Sequence, residues 1–376
     1  MKKYRFIFIG IIALFGVLLY YQNHNKMGNT IKFGSSLPLG GINKQLGLSV
    51  KQGALAYFSY ANKHKLLGKK EIKFISYDDK YEPELTLENL NILLEKDKVF
   101  ALFGFVGTPT IKAIMPIISE SNIPFIAPFS GASFLRIPKR DNFINFRSSY
   151  ADEIEKLVSY LYYVKHITKI AIFYQNDDYG DDGYVATIKS LKKRGLSLVS
   201  EGTYRRNTLS VTQALYDIYS SKPEAIIMVG AYKPVALFVK RYRQMDKNKE
   251  TIFCNISFVN ADELVHELDY KTKNMIFSQT VPSYNDLSLP IVKEYRKILK
   301  IKYPHIKYGF VSLESYLDAK ISIEALKKIQ NHITRKKFLT TLKELAKIYK
   351  EKKLFGRVFL FKYKDKKFVE LKGISK

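Results

Sequence analysis

Thr108, Ser130 and the small residues around them are the side chains whose types and spacing suit chemistry, and that chemistry is the capture of an anion. The run Ala101 to Ile117, ALFGFVGTPTIKAIMPI, ends an apolar stretch in Gly104-Phe105-Val106-Gly107-Thr108-Pro109-Thr110 and then takes up a helical period. The run Ile123 to Arg136, IPFIAPFSGASFLR, ends a second apolar stretch in Pro128-Phe129-Ser130-Gly131-Ala132. In an open α/β sheet, ligands bind beyond the carboxyl ends of the strands, so both turns are expected to face one space. A glycine-bearing turn that opens a helix can aim backbone N–H groups at a ligand, and the helix dipole favours a negative group there. A carboxylate is the guest this suits. Gly-Lys-Ser/Thr is absent from the turn, which excludes a Walker phosphate loop.

Other chemistries find little support. There is no Gly-x-Ser-x-Gly elbow, no His-Glu-x-x-His and no dinucleotide fingerprint, so neither an enzyme nor a cofactor is expected. The six histidines are scattered without metal-ligand spacing. The acid pairs Asp78-Asp79 and Asp177-Asp178 sit at strand ends, where capping and turn formation are their ordinary work. The single cysteine, Cys254, lies in an apolar run and reads as a buried, inert thiol.

The formal charge of +27 raises the question of nucleic acid, but the lysines are spread over nearly every element and only short clusters such as Lys192-Lys193-Arg194 occur. A solvated basic surface is expected, with some attraction to anionic lipid. Lys2, Lys3 and Arg5 precede the uncharged run Phe6 to Tyr21, the pattern of an export signal that leaves the body outside the cytoplasm. No cysteine follows the run, which argues against a lipoprotein anchor, and no clear cleavage site precedes Asn25. A cleaved signal and a retained membrane anchor both stay open.

From Thr30 onward, short β-rich apolar runs alternate with amphipathic helical stretches, the rhythm of βαβ units and mostly parallel sheets. Strands are expected at Ile31 to Ser36, Ile72 to Tyr77, Phe100 to Phe103 and Phe125 to Ala127, then at Ile170 to Tyr174, Ala225 to Val229, Ile252 to Asn255 and Met275 to Gln279. Asn145 to Tyr150 reads as an extended crossover between two halves. Beyond Pro282 come helices without strands, which must pack on a sheet already built, and then a late strand pair, Arg357 to Tyr363 and Lys367 to Leu371. The chain is therefore expected to form two lobes with about three crossings and a cleft between them.

In order, Ser35-Ser36-Leu37-Pro38-Leu39-Gly40-Gly41, Gln52-Gly53-Ala54, Tyr77-Asp78-Asp79, Gly104 to Thr108, Pro128 to Ala132, Asp177-Asp178-Tyr179-Gly180, Gly230-Ala231-Tyr232 and Glu314-Ser315-Tyr316 resemble the periplasmic solute-binding proteins of ABC transporters. The likeness is to the type I, leucine/isoleucine/valine-binding group and covers Ile31 to about Leu345. It implies an α/β fold of two Rossmann-like lobes with mostly parallel sheets, joined by a three-crossing hinge. Residues 1–29 would be the signal or anchor, 30–147 continued by about 282–353 the first lobe, and 148–281 continued by about 354–376 the second.

The same resemblance implies a non-catalytic protein that closes on a small carboxylate-bearing ligand and presents it to an ABC permease. Thr108 takes the group's serine position, Phe129, Ser130 and Gly131 line the second turn, Leu46 adds apolar wall, and Tyr179 and Tyr232 take the two second-lobe tyrosines, here read as ending strands. Two departures follow. Ser257 stands where amino-acid binders of the group carry the acid that pairs with the ligand's ammonium, with Asp262 and Glu263 the nearby substitutes, and Gly131 stands where they carry a hydroxyl. A buried ammonium without a carboxylate is costly, so an aliphatic or aromatic acid competes with an amino acid as the ligand. A membrane-anchored sensory receptor is the alternative to transport.

Overall fold

The computed structural model describes residues 28–136, 141–246 and 250–371. The apolar run Phe6 to Tyr21, and with it the question of signal or anchor, lies outside the described residues.

Two sheets organise the described chain. In the first, β1 (Thr30–Leu37), β2 (Glu71–Asp78), β3 (Ala101–Phe103), β4 (Phe125–Ile126) and β5 (Phe143–Ile144) lie in the order β2-β1-β3-β4-β5, all parallel. Helices α1 (Lys44–Lys63), α2 (Pro83–Asn91) and α3 (Thr108–Glu120) make the crossovers. In the second, β6 (Ile170–Gln175), β7 (Leu198–Tyr204), β8 (Ala225–Val229), β9 (Ile252–Asn255) and β10 (Met275–Gln279) are parallel. Every residue of β6, β8 and β10 is buried, which is why these strands read as apolar runs rather than alternating ones.

Sequence reading passed over three elements. β7, LVSEGTY, is an edge strand whose first residues alternate between half-buried and exposed, so serine and glutamate dilute its signal. β5 has only two residues, and α8 (Ala261–Glu267) is too short to show a period. The helices of the second half are α4 (Tyr150–Ser159), α5 (Asp178–Lys192), α6 (Thr212–Ser220) and α7 (Tyr232–Met245).

The strandless tract behaves as packing demands. It forms α9 (Pro290–Lys302), α10 (Phe310–Lys328) and α11 (Arg335–Glu351), which pack back on the first sheet's side of the molecule, α10 lying along α1. Gly53 permits that contact, because a Cβ there would stand 2.2 Å from the Ser312 carbonyl oxygen, and the Ser315 hydroxyl donates to the Val50 carbonyl at 2.8 Å. The chain then crosses to the second sheet as the expected hairpin, β11 (Phe359–Lys364) and β12 (Lys367–Glu370), added antiparallel to β10. Asp365 and Lys366 turn it with φ of 50° and 59°, the left-handed pair that a two-residue hairpin requires.

The loop after β2 is set by its acid pair. Asp78 accepts from the backbone of Leu39, Gly40 and Lys80 and so joins the β1 and β2 loops. Asp79 is buried and accepts from the Ser36 hydroxyl at 2.7 Å, the Tyr81 amide at 2.9 Å and the Thr86 hydroxyl at 3.3 Å. Burial pushes its carboxyl up to about 6, although all three hydrogen bonds oppose the shift. A carboxyl raised above its unfolded value of about 4 contributes stability that is complete below about pH 4 and is lost as pH rises through about 6. Urea unfolding should therefore show the protein about 1 kcal/mol more stable at pH 5 than at pH 7.5 on account of this group. Asp79→Asn should remove that share of the difference, and an unchanged pH dependence in the variant would exclude the assignment.

Candidate ligand site

The two turns picked out in the sequence are tied together at one end of the first sheet. Phe129 N–H donates to the Phe105 carbonyl at 2.7 Å, Gly107 N–H donates to the Phe129 carbonyl at 3.3 Å, and Val106 and Phe129 form a parallel bridge. Gly107 has φ of 109°, and a Cβ on it would stand 2.3 Å from the Tyr81 ring. The amides of Gly107, Phe129 and Ser130 are spent on the turns themselves, the last on the Pro128 carbonyl at 2.9 Å. Side-chain hydroxyls add further donors beside the turns.

Those hydroxyls form a buried cluster. Thr108 and Ser130 share a hydrogen bond of 2.8 Å, and the Tyr150 hydroxyl lies 3.4 Å from Thr108 Oγ1 and 3.5 Å from Ser130 Oγ. Gly131 makes the third member possible. A Cβ there would be 2.4 Å from the Tyr150 ring, and its carbonyl accepts the Tyr150 amide at 2.9 Å. The hydroxyl that position 131 lacks is thus supplied by a residue of the crossover. Ser149 and Asp152 fix that residue by a reciprocal capping box at the start of α4.

Five aromatic rings enclose the cluster. Phe258, on the short turn Ser257–Val259, has its ring centroid 4.6 Å from Tyr179, 5.9 Å from Phe129, 6.1 Å from Tyr81 and 6.5 Å from Tyr150, and Tyr150 and Tyr179 are 5.3 Å apart. Tyr179 does not end a strand as read; it is the second residue of α5, where the Asp177 carboxylate caps its amide at 3.0 Å. Its hydroxyl is buried without a hydrogen-bond partner among the described residues, and burial holds it well above the usual phenol range. Asp177 is also raised by burial, against hydrogen bonds from Gln175 and the Tyr179 and Gly180 backbone and the pull of Arg206.

The other expected residues fall elsewhere. Tyr232 opens α7 rather than ending a strand, and its hydroxyl meets the Gln45 backbone, next to buried Leu46. Ser257 is turned away from any ligand role as an acceptor, because its amide and hydroxyl donate to Glu153 at 2.7 and 2.8 Å and its oxygen is also met by Arg147 Nη2. Asp262 accepts from the Tyr284 hydroxyl at 2.6 Å and the Phe310 amide at 3.0 Å, so it anchors the start of α10.

The rim is polar and joins the two halves. Arg206 meets Glu82 at 2.9 Å, Asn207 donates to the Lys80 and Tyr81 carbonyls and to Glu82, Lys112 pairs with Asp178, and the Ser133 backbone and hydroxyl bond Asp182. Half-buried and exposed pairs of this kind contribute about 0–1 kcal/mol each, so they tie the two halves lightly.

A profile described as "Periplasmic binding protein" matches residues 30–370. The chain belongs to this family. Within it the chain is 32% identical to a possible leucine/isoleucine/valine-binding protein from Rhodopirellula baltica, whose crystal structure superposes with a TM-score of 0.84 over 91% of this chain and 96% of that one. It is 25% identical to an amino acid binding protein of Pseudomonas aeruginosa over 62% of this chain and 63% of that protein, so the chain spans under two thirds of that relative's length. A branched-chain amino acid ABC transporter protein from Thermus thermophilus with bound valine, 17% identical, shares the fold at a TM-score of 0.80 over 91% and 95% of the two chains. The fold is the type I periplasmic binding protein fold.

Tyr81, Arg147, Tyr150 and Phe258 are the neighbours of this site that sequence reading missed. Ser149 and Asp152 form a capping box that starts α4, but this local pairing does not give the direction of the Tyr150 ring. Gly131→Ala should lower stability by about 1–3 kcal/mol through overpacking against that ring, read by urea unfolding. Tyr179→Phe should leave the melting temperature of the unliganded protein unchanged or higher, since it removes a buried hydroxyl that has no partner. A drop of several degrees would assign that hydroxyl a structural bond.

Proposed function

We propose that this protein is an extracytoplasmic solute-binding protein that closes on a small carboxylate-bearing molecule and delivers it to an ABC-type permease. The observation that carries the reading is the cluster of three buried hydroxyls, Thr108, Ser130 and Tyr150, enclosed by aromatic rings. Hydroxyl donors hold an anion, and the rings suit an aliphatic or aromatic body. Phe129 and Tyr179 would line that body, with Gly131 giving room to Tyr150, while Leu46 and Tyr232 would form the outer wall. The solute-binding family and the printed role of the valine-bound neighbour support the transport assignment.

The lobes of this reading are 30–147 with about 282–353, and 148–281 with about 354–376. Closure follows from population shift, because a ligand that touches both lobes binds the closed arrangement better than the open one. The ligand favoured here is an acid without an α-amino group. Ser257 brings no carboxylate of its own, and the nearest buried one, Glu153, already accepts from Ser257 and Ser278. A membrane-anchored receptor remains the second reading, favoured by the uncharged run Phe6 to Tyr21 with no clear cleavage site; recovery of the exported protein in the membrane fraction, without an associated permease, would select it.

Calorimetry with 4-methylpentanoate, 3-phenylpropanoate, leucine and phenylalanine tests the proposal. At 100 times its dissociation constant a true ligand should stabilise the fold by about 2.7 kcal/mol. The des-amino acids should bind at least as well as their amino counterparts, and a tenfold preference for the amino acid, about 1.4 kcal/mol, would reverse the assignment. Thr108→Val should weaken the bound acid by about 1.5–3 kcal/mol, the worth of a hydrogen bond to a charged acceptor, with the fold retained.

A further inference from the structure

Resting on the carboxylate-binding reading above, we infer that Arg147, a residue of the crossover that ends the first lobe's opening segment, is the charged anchor of the ligand's carboxylate. Its backbone is fixed beside the second turn. Arg136 donates to its carbonyl at 2.8 Å, and Asn145 donates to the Ser130 carbonyl at 2.9 Å while accepting the Arg147 amide at 3.2 Å. Its guanidinium carbon lies 4.2 Å from the centroid of the Phe129 ring, so the planar cation covers the wall of that turn. Nη2 reaches Ser257 on the turn that carries Phe258, and Nε stands 3.4 Å from Glu314. Nη1 is buried and, like Nε, has no hydrogen-bond partner among the described residues. A buried guanidinium nitrogen is a donor with nothing to accept it, and it is costly unless an acceptor arrives.

The charge sits next to the hydroxyl cluster. After burial, Arg147 is the largest influence on the Tyr150 phenol, greater than the hydrogen bonds from Ser130 and Thr108. Burial raises Glu314, against the pull of Arg147, and raises Asp318 well above its usual range. Glu153 is occupied by Ser257 and Ser278. An acid ligand would complete the guanidinium's bonding, whereas a ligand ammonium would face a donor. This extends the preference for des-amino acids to a preference for the acid over its neutral amide, and it places the anchor on the crossover between the two sheets.

The test compares 4-methylpentanoate with 4-methylpentanamide by calorimetry on the full exported body. The parent should bind the acid at least tenfold more tightly than the amide. In Arg147→Gln the ratio should fall to within about twofold, and Arg147→Lys should retain part of it; a paired Arg147→Gln, Glu314→Gln variant removes both members of the buried pair should the single variant not fold. A crystal structure of the parent with 4-methylpentanoate gives a readout free of any variant, with a carboxylate oxygen expected within about 3.2 Å of Nη1. A ratio that survives in folded Arg147→Gln, or a carboxylate bound by the hydroxyls and out of reach of Nη1, overturns the role of Arg147 and leaves the carboxylate-binding reading standing. No saturable binding of any acid by the parent overturns both.

Discussion

The seating of the Tyr150 ring on Gly131 is the constraint on which the candidate site depends. The second turn approaches α4 so closely that any side chain at position 131 would collide with that ring, and the Gly131 carbonyl receives the Tyr150 amide. One contact therefore fixes three things: the path of the crossover out of the first sheet, the direction in which α4 starts, and the position of a phenol beside Thr108 and Ser130. A hydroxyl delivered from the crossover rather than from the turn makes the proposed anion site a property of the joint between the two sheets.

The same joint carries the buried charge. Arg147, Glu153 and Glu314 come from the crossover, α4 and α10, and Ser257, Ser278 and Thr280 satisfy the carboxylate oxygens. Buried ion pairs are weak sources of stability, because desolvation offsets most of their attraction, but breaking one by removing a single partner leaves an uncompensated charge. Such a network specifies one arrangement of the three elements. Around it the rim relies on exposed pairs, so the arrangement is exacting at the base of the cleft and permissive at its mouth.

Much of the fold was legible in the sequence because parallel strands buried on both faces leave unmistakable apolar runs. The tracts at Ala225–Val229, Ile252–Asn255 and Met275–Gln279 form strands with the bounds that their composition suggests. The late hairpin and the return of the strandless helices to the first sheet followed from the need to cover apolar faces. β7 was not legible, since an edge strand can expose half its residues, and neither was the start of α5, where the Asp177 cap carries the helix back to include Tyr179, nor that of α7, which opens at Tyr232 without a side-chain cap.

By itself the sequence carried the resemblance to the family in its ordered motifs, and it determined the two-sheet plan and the meeting of the turns at Thr108 and Ser130, because these last rest on local periodicity and on glycines placed at strand ends. Only the tertiary structure decided which side chains surround that meeting point. Tyr81, Arg147, Tyr150 and Phe258 converge from three separate segments, and nothing local marks the direction in which a ring or a guanidinium will point. The two second-lobe tyrosines, equivalent on paper, part company for the same reason: Tyr179 joins the rings around the hydroxyls, while Tyr232 is drawn to the Gln45 backbone. Spacing along the chain sets which residues share an element, but packing between elements sets which of them touch.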